Sequence, residues 1–162
     1  MTANYTLGHP RFADREPQVR IHAERLQRAG RMLQTLLAED IAAYQRFREA
    51  TRRSKQTGRT DDELSDSAEL ATMVPAEVVG LAGAVLESIA ALRELANPNL
   101  LADLVGAAIL AHASARLAAR NITANLPAIR QTQRREQISS QVSAAMHRIE
   151  KLSRQITEQP DR

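Results

Sequence analysis

Apolar residues recur along the chain at spacings that predict helices and little else. From about Glu16 to Thr51 the positions Val19, Ala23, Leu26, Ala29, Leu33, Leu36, Leu37, Tyr44 and Phe47 return every three or four residues, with Arg, Gln and Glu between them. That period matches one face of a long amphipathic helix. Before it, Gly8, Pro10 and Pro17 predict a loop or short extended lead-in, with Asp14 placed to cap the helix that follows. Residues 52–66 are polar, hold Gly58 and Thr60 and lack any period, so they read as a mobile connection, with helix resuming near Asp61 and running through Leu70. Pro75 suits the first turn of a further helix whose stripe is Val78, Leu81, Val85, Ile89 and Leu92, ended by Asn97 and Pro98.

The stretch from Leu100 to Ala115 is apolar except at Asp103, His112 and Ser114. A helix apolar on nearly every side must be covered on nearly every side, which predicts the buried central helix of the fold, ending by Pro127. At sixteen residues, interrupted by Asp103 and His112 and followed by Arg116 and Arg120, it reads as too short and too polar to span a membrane. Finally Ile138, Val142, Ala145, Ile149, Leu152 and Ile156 alternate steps of four and three, the spacing of a coiled-coil seam that packs within the chain or across a dimer. Sustained alternation and hairpin signals are missing. The expectation is one all-α domain over residues 1–162, a bundle of four to six helices.

Composition narrows the chemistry. With 43% hydrophobic residues but only two Phe, two Tyr and no Trp, the core must be built from aliphatic side chains. Cysteine is absent, which excludes disulfides, thiolate metal sites and a cysteine nucleophile. No charged segment followed by an apolar run marks a secretory signal, so a cytoplasmic location is expected. The net charge of +3 comes almost wholly from Arg spread among acids: residues 11–59 are basic, 60–104 acidic apart from Arg93, and the rest basic again. Such segregation suits helix packing or self-association, and with neither an aromatic platform nor a recognition motif nucleic acid is not an expected partner.

A charge where a core residue belongs is the informative observation, because burying a lone carboxylate is costly. Asp40 falls on the stripe of Leu33, Leu36, Tyr44 and Phe47 and is expected to point inward. Asp103 lies near the start of the apolar helix, where it either does chemistry or simply satisfies first-turn N–H groups and the helix dipole. Asp103 and Asn121 are five full turns apart and share a face, with Asn125 one turn beyond. At 1.5 Å per residue they lie about 27 Å apart, so they cooperate only across subunits. His112 is half a turn out of phase with Asp103 and beside Arg116 and Arg120, which reads as packing rather than catalysis. His9, His22 and His147 lack the spacing of metal ligands, so no metal is expected, and no phosphate loop or nucleotide fingerprint supports a cofactor.

Several segments together resemble one family. Met1-Thr-Ala-Asn-Tyr-Thr-Leu-Gly8, Asp40-Ile-Ala-Ala-Tyr44, Val74-Pro75, Asn97-Pro-Asn99-Leu-Leu-Ala-Asp103 and Asn121-Ile-Thr-Ala-Asn125-Leu resemble, in order and separation, motifs of the cyclodeaminase domain of formimidoyltransferase-cyclodeaminase and of the bacterial methenyltetrahydrofolate cyclohydrolases. The resemblance runs from Met1 to about Arg130. It implies a helical homodimer acting on a formimino- or methenyl-tetrahydrofolate substrate, as a lyase or a hydrolase, without a further cofactor. Either reaction needs proton transfer at the one-carbon unit, which a buried carboxylate held by amides would supply. The resemblance thus implies Asp103 as the acid/base, Asp40 as a second carboxylate or anchor, Asn97 and Asn99 positioning Asp103 or the pterin, Asn121 and Asn125 as further substrate contacts, and Arg11 as the cation for a folate carboxylate. Departures are also plain. The family's Gly-rich leader helix is not present before Met1, Gly8-His9-Pro10-Arg11-Phe12 stands where relatives carry consecutive lysines, Ala102 replaces a serine, and Ala96 replaces a glycine. The alternative expectation is a non-catalytic helical dimerisation module descended from that family.

Overall fold

The structure, a computed structural model, describes residues 2–58 and 62–158. Five α-helices carry the described chain: α1 (Thr2–Thr6), α2 (Glu16–Thr57), α3 (Asp62–Leu95), α4 (Leu101–Asn125) and α5 (Thr132–Glu158). Short 3-10 turns at Pro10–Phe12, Pro98–Leu100 and Leu126–Ala128 link them, and no strand occurs among the described residues.

α2 and α3 form a long antiparallel hairpin: Arg15 at the start of α2 donates from Nη1 to the Glu94 carbonyl at the end of α3 (3.3 Å), and Arg53 pairs with Glu63 at the other end. The reading of residues 52–66 as a mobile connection is therefore corrected. α2 continues to Thr57 and stops where Gly58 adopts the left-handed conformation (φ +67°) that glycine takes without steric cost. Thr60 and the expected restart at Asp61 lie outside the described residues. At its other end α2 begins after Arg15, not Asp14, and no side chain caps it.

The central helix is α3 rather than the stretch from Leu100 to Ala115. α3 packs against α2, α4 and α5, and Leu86, Ile89 and Leu92 on it are almost fully buried. Each such aliphatic side chain contributes about 1.5–3 kcal/mol by leaving water. α4 buries one side only, through Leu101, Leu104, Ala108, Ala115, Ala118 and Ile122, and leaves the other open. Its uniform hydrophobicity thus reflects two faces, one covered by this chain and one uncovered.

α3 also runs unbroken through Pro75, where the sequence predicted a new start. A proline inside a helix removes the N–H that would bond the carbonyl four residues back. That carbonyl is Ala71's, and the Asn125 side-chain amide donates to it from Nδ2 at 2.9 Å. The end of α4 thereby repairs the defect in α3.

α5 packs within the chain. Ile138, Ile149 and Ile156 join the main core with residues of α3 and α4, and Ile149 lies 3.7 Å from where a Cβ on Gly83 would stand. Ion pairs of Arg130 with Asp62 (2.6 Å) and Arg134 with Glu69 (2.7 Å) fix its start. The segments Asp62–Leu95 and Pro98–Ala128 are long and apolar enough to cross a membrane by length and composition alone, which corrects the judgement that the second was too short. For α3 the criterion reflects a core helix. In α4 the apolar stretch is interrupted by Asp103, Ser114, Arg116, Arg120 and Asn121.

Candidate functional site

A groove of about 660 Å3 opens between α2 and α4 with α3 as its floor, and Asp103 stands on its wall. Val85, Ile89 and Leu92 form the floor, Ala23, Leu26 and Gln27 the α2 side, and Asp103, Ala107 and Leu110 the α4 side. α1 closes the end with Thr2, Ala3 and Asn4. An apolar bed with a few separated polar groups, Asn4, Gln27 and Asp103 beside Thr2, is the usual make-up of a small-molecule site, and the volume falls in the usual range. A larger depression of about 780 Å3 is lined only by α2, from Tyr44 to Lys55. One helix surface cannot surround a substrate, so it is not the candidate.

Local sequence explains how the groove is held. Thr6, almost wholly buried, donates its hydroxyl to the Thr2 carbonyl (3.1 Å) and accepts from the Asn97 backbone N–H (3.1 Å). The Asn97 side-chain oxygen accepts from the Asn99 N–H (3.1 Å), capping the turn that launches α4. Asn97 thus fixes the junction of α1, α3 and α4, and with it the placement of Asn4 and Asp103 around the groove. Asn99 is exposed beside it.

Asp103 occupies the first turn of α4, yet its carboxylate makes no hydrogen bond or ion pair among the described residues, and no side chain caps the helix. Had it served only to satisfy first-turn N–H groups, a short bond to one of them would be present. It is exposed rather than buried, standing at the groove's open side.

The remaining expected residues disperse. Asp40 is exposed, contrary to the inward orientation expected of it, because this half of α2 has only α3 beside it and buries a narrow line: Ala29, Leu36, Ala43 and Ala50. It lies thirteen residues, about 20 Å, beyond Gln27 along the same helix. Asn121 is exposed far along α4, and Asn125 is committed to Ala71. Arg11 is exposed with its guanidinium 5.7 Å over the Phe12 ring and does not line the groove. Asn4 and Gln27 were not singled out by the sequence. Asn4 lies inside the resembling segment at the N-terminus, whereas nothing in the local pattern marks Gln27.

A second, smaller groove of about 410 Å3 shares Leu26 and Val85 with the first and carries Arg25 and Arg28. Near it, His22 has a buried Nδ1 without a partner, and burial, then the charge of Arg25, holds its pKa below the ordinary histidine value. Glu16 is held below the ordinary carboxylate range by the Gly8 N–H and by Arg20. No cluster of three or more His, Asp or Glu side chains that would hold a metal forms among the described residues.

Residues 1–144 match the model of the formiminotransferase-cyclodeaminase family. The chain belongs to that family. Among solved structures, the formiminotetrahydrofolate cyclodeaminase of Thermotoga maritima is similar at a TM-score of 0.89 and 25% identity, over 98% of this chain and 77% of that one. No curated protein matches the chain. The formiminotransferase-cyclodeaminase fold is therefore shown for nearly the whole sequence, and the groove beside Asp103 is a feature of that fold in this member.

Proposed function

We propose that this family member is a folate one-carbon enzyme that, in the groove between α2 and α4, either closes the formimino carbon of a tetrahydrofolate into a ring or opens a methenyl ring by hydrolysis. The observation that carries the reading is the uncommitted Asp103 carboxylate at the side of an apolar groove that also offers the amides of Asn4 and Gln27. In cyclodeamination N10 attacks the formimino carbon, a C–N bond forms, and the carbon's bond to the departing nitrogen breaks. The formimino nitrogen, protonated as an amidinium, already carries two protons, and the proton lost by N10 is the third with which it leaves as ammonia. A single carboxylate serves both transfers in turn, accepting from N10 and donating to the leaving group. In hydrolysis of a methenyl group the same carboxylate takes a proton from the attacking water as the C–O bond forms and returns it to the ring nitrogen whose bond to that carbon breaks, the second water proton going to solvent as the formyl group forms.

The apolar floor suits the flat pterin, and the amides of Asn4 and Gln27 suit its polar edge. For the glutamate carboxylates, Arg25 and Arg28 in the adjoining groove are better placed than Arg11. We propose a cytoplasmic location, where reduced folates are used.

Incubating the protein with formimino-tetrahydrofolate and, separately, with methenyl-tetrahydrofolate tests the reading, following ammonia release and the loss of methenyl absorbance. Turnover of the first substrate identifies a cyclodeaminase, turnover of the second alone a cyclohydrolase. Turnover of neither, by protein whose melting curve is intact, contradicts the proposal.

A further inference from the structure

Glycine is less favourable inside a helix than every residue but proline, so a helix-interior glycine invites a reason. The chain has such glycines at Gly30 in α2, Gly80 and Gly83 in α3 and Gly106 in α4. None of them has the left-handed backbone that favours glycine, which among the described residues belongs to Gly8 and Gly58 alone. Gly83 has a reason in packing, since a Cβ built on it would stand 3.7 Å from Ile149 of α5. At Gly106 a Cβ would meet no atom within 4 Å, so nothing in the fold asks for its absence. Gly30 and Gly80 are equally open, but neither lines the groove beside Asp103, and Gly106 does.

We propose that Gly106 is a specificity-determining residue: its missing side chain lowers the α4 wall, so that the edge of a flat fused heterocycle lying on the α3 floor reaches the helix backbone level with Asp103. The assignment rests on the folate reading above and deepens it by naming what the groove selects, a ring system wide enough to run from the α2 side to the backbone of α4.

Helix geometry puts the opening next to the chemistry. Asp103, Gly106, Ala107 and Leu110 share the face of α4 that forms the wall, with Gly106 three residues from Asp103, about 4.5 Å along the axis. Ala102 and Ala107 keep the same stretch of wall low. The Cβ that Gly106 lacks would project about 1.5 Å, one C–C bond, into space that the ring edge is proposed to fill. A ring in contact with the wall would be held off by that much, and misplacing a reacting group by about 1 Å costs about 10²-fold in rate.

This reasoning predicts effects of opposite sign on the fold and on the ligand, which a structural glycine would not show. Gly106→Ala, Gly30→Ala and Gly80→Ala should each raise the melting temperature by about 1–4 °C, because alanine suits all three helical positions better. Binding is measured by calorimetry with 5-formyl-tetrahydrofolate, which carries an oxygen where the formimino substrate carries its leaving nitrogen. Gly106→Ala should weaken it by about tenfold or more and lower kcat/KM by about 10²-fold, while Gly30→Ala and Gly80→Ala leave both unchanged. Gly106→Leu, with another good helix former, should bind no measurable ligand.

Equal binding by wild type and Gly106→Ala overturns the role and leaves the proposed function standing. A lowered melting temperature in Gly106→Ala shows a structural glycine, and an altered sedimentation coefficient in that variant shows a glycine serving contact between chains; either result overturns the role. A wild-type chain that neither binds 5-formyl-tetrahydrofolate nor turns over a folate contradicts the function itself, and the role of Gly106 falls with it.

Discussion

Removing the Asn125 side chain should destabilise the protein only while Pro75 is present. Asn125 is half-buried and its Nδ2 donates to the Ala71 carbonyl, which Pro75 leaves without its helical partner. In Asn125→Ala that carbonyl, on a residue only 7% exposed, loses its donor. A buried polar group left unpaired costs about 1–3 kcal/mol. For a chain of this length each kcal/mol moves the melting temperature by about 2–4 °C, so a fall of about 2–12 °C is expected. In the Pro75→Ala background the N–H of residue 75 supplies the missing bond, and Asn125→Ala should cost under about 0.5 kcal/mol, as for uncoupled sites. Pro75→Ala by itself also changes packing and the unfolded chain, but those effects cancel in a double-mutant cycle. Urea unfolding of the four proteins followed by circular dichroism measures the coupling. Equal losses in both backgrounds would refute the link between the proline and the amide.

Other expectations follow from the core and from the titrating groups. Leu86→Ala, at a fully buried position on the central helix, should lower stability by about 2–5 kcal/mol in the same assay. His22 has a folded-state pKa below its ordinary value of 6.5, so the unfolded chain binds the extra proton first. Its contribution is complete above that value and is lost as pH falls through the lowered folded pKa, and His22→Gln should flatten the stability profile in that window. Glu16 is also lowered, from 4.5, and its contribution is present above that value and lost at more acidic pH. Glu16→Gln should therefore weaken the tie between Gly8 and α2 at neutral pH and narrow the acid-dependent loss, measured by thermal melts across pH.

The all-helical fold was legible because the spacing of apolar residues reports which side of a helix is covered. It does not report what covers it. Leu100 to Ala115 looked central since both its faces are apolar, yet the chain covers only one of them. Asp40 looked buried because it keeps the phase of Leu33 and Phe47, but α2 outruns the bundle there and has a single neighbour. Val74-Pro75 and Asn121 to Asn125 were visible as separate motifs. Their connection through one hydrogen bond belongs to tertiary structure, and it turns Asn125 from a candidate substrate contact into a structural repair. The groove escaped the sequence for a similar reason. Asn4, Gln27 and Asp103 come from three helices, and only Asp103 stands out against its surroundings.

The rate of ammonia release from formimino-tetrahydrofolate by Asp103→Asn protein, compared with wild type at matched thermal stability, tests the central claim most directly. Asparagine keeps the size and shape of the side chain but neither accepts nor supplies the proton. Loss of a positioned acid/base should lower kcat by about 10²–10⁴-fold with little change in melting temperature, because Asp103 makes no hydrogen bond or ion pair that the fold depends on. Wild-type turnover in Asp103→Asn would contradict the account, placing the proton transfers elsewhere and leaving the groove without its chemistry.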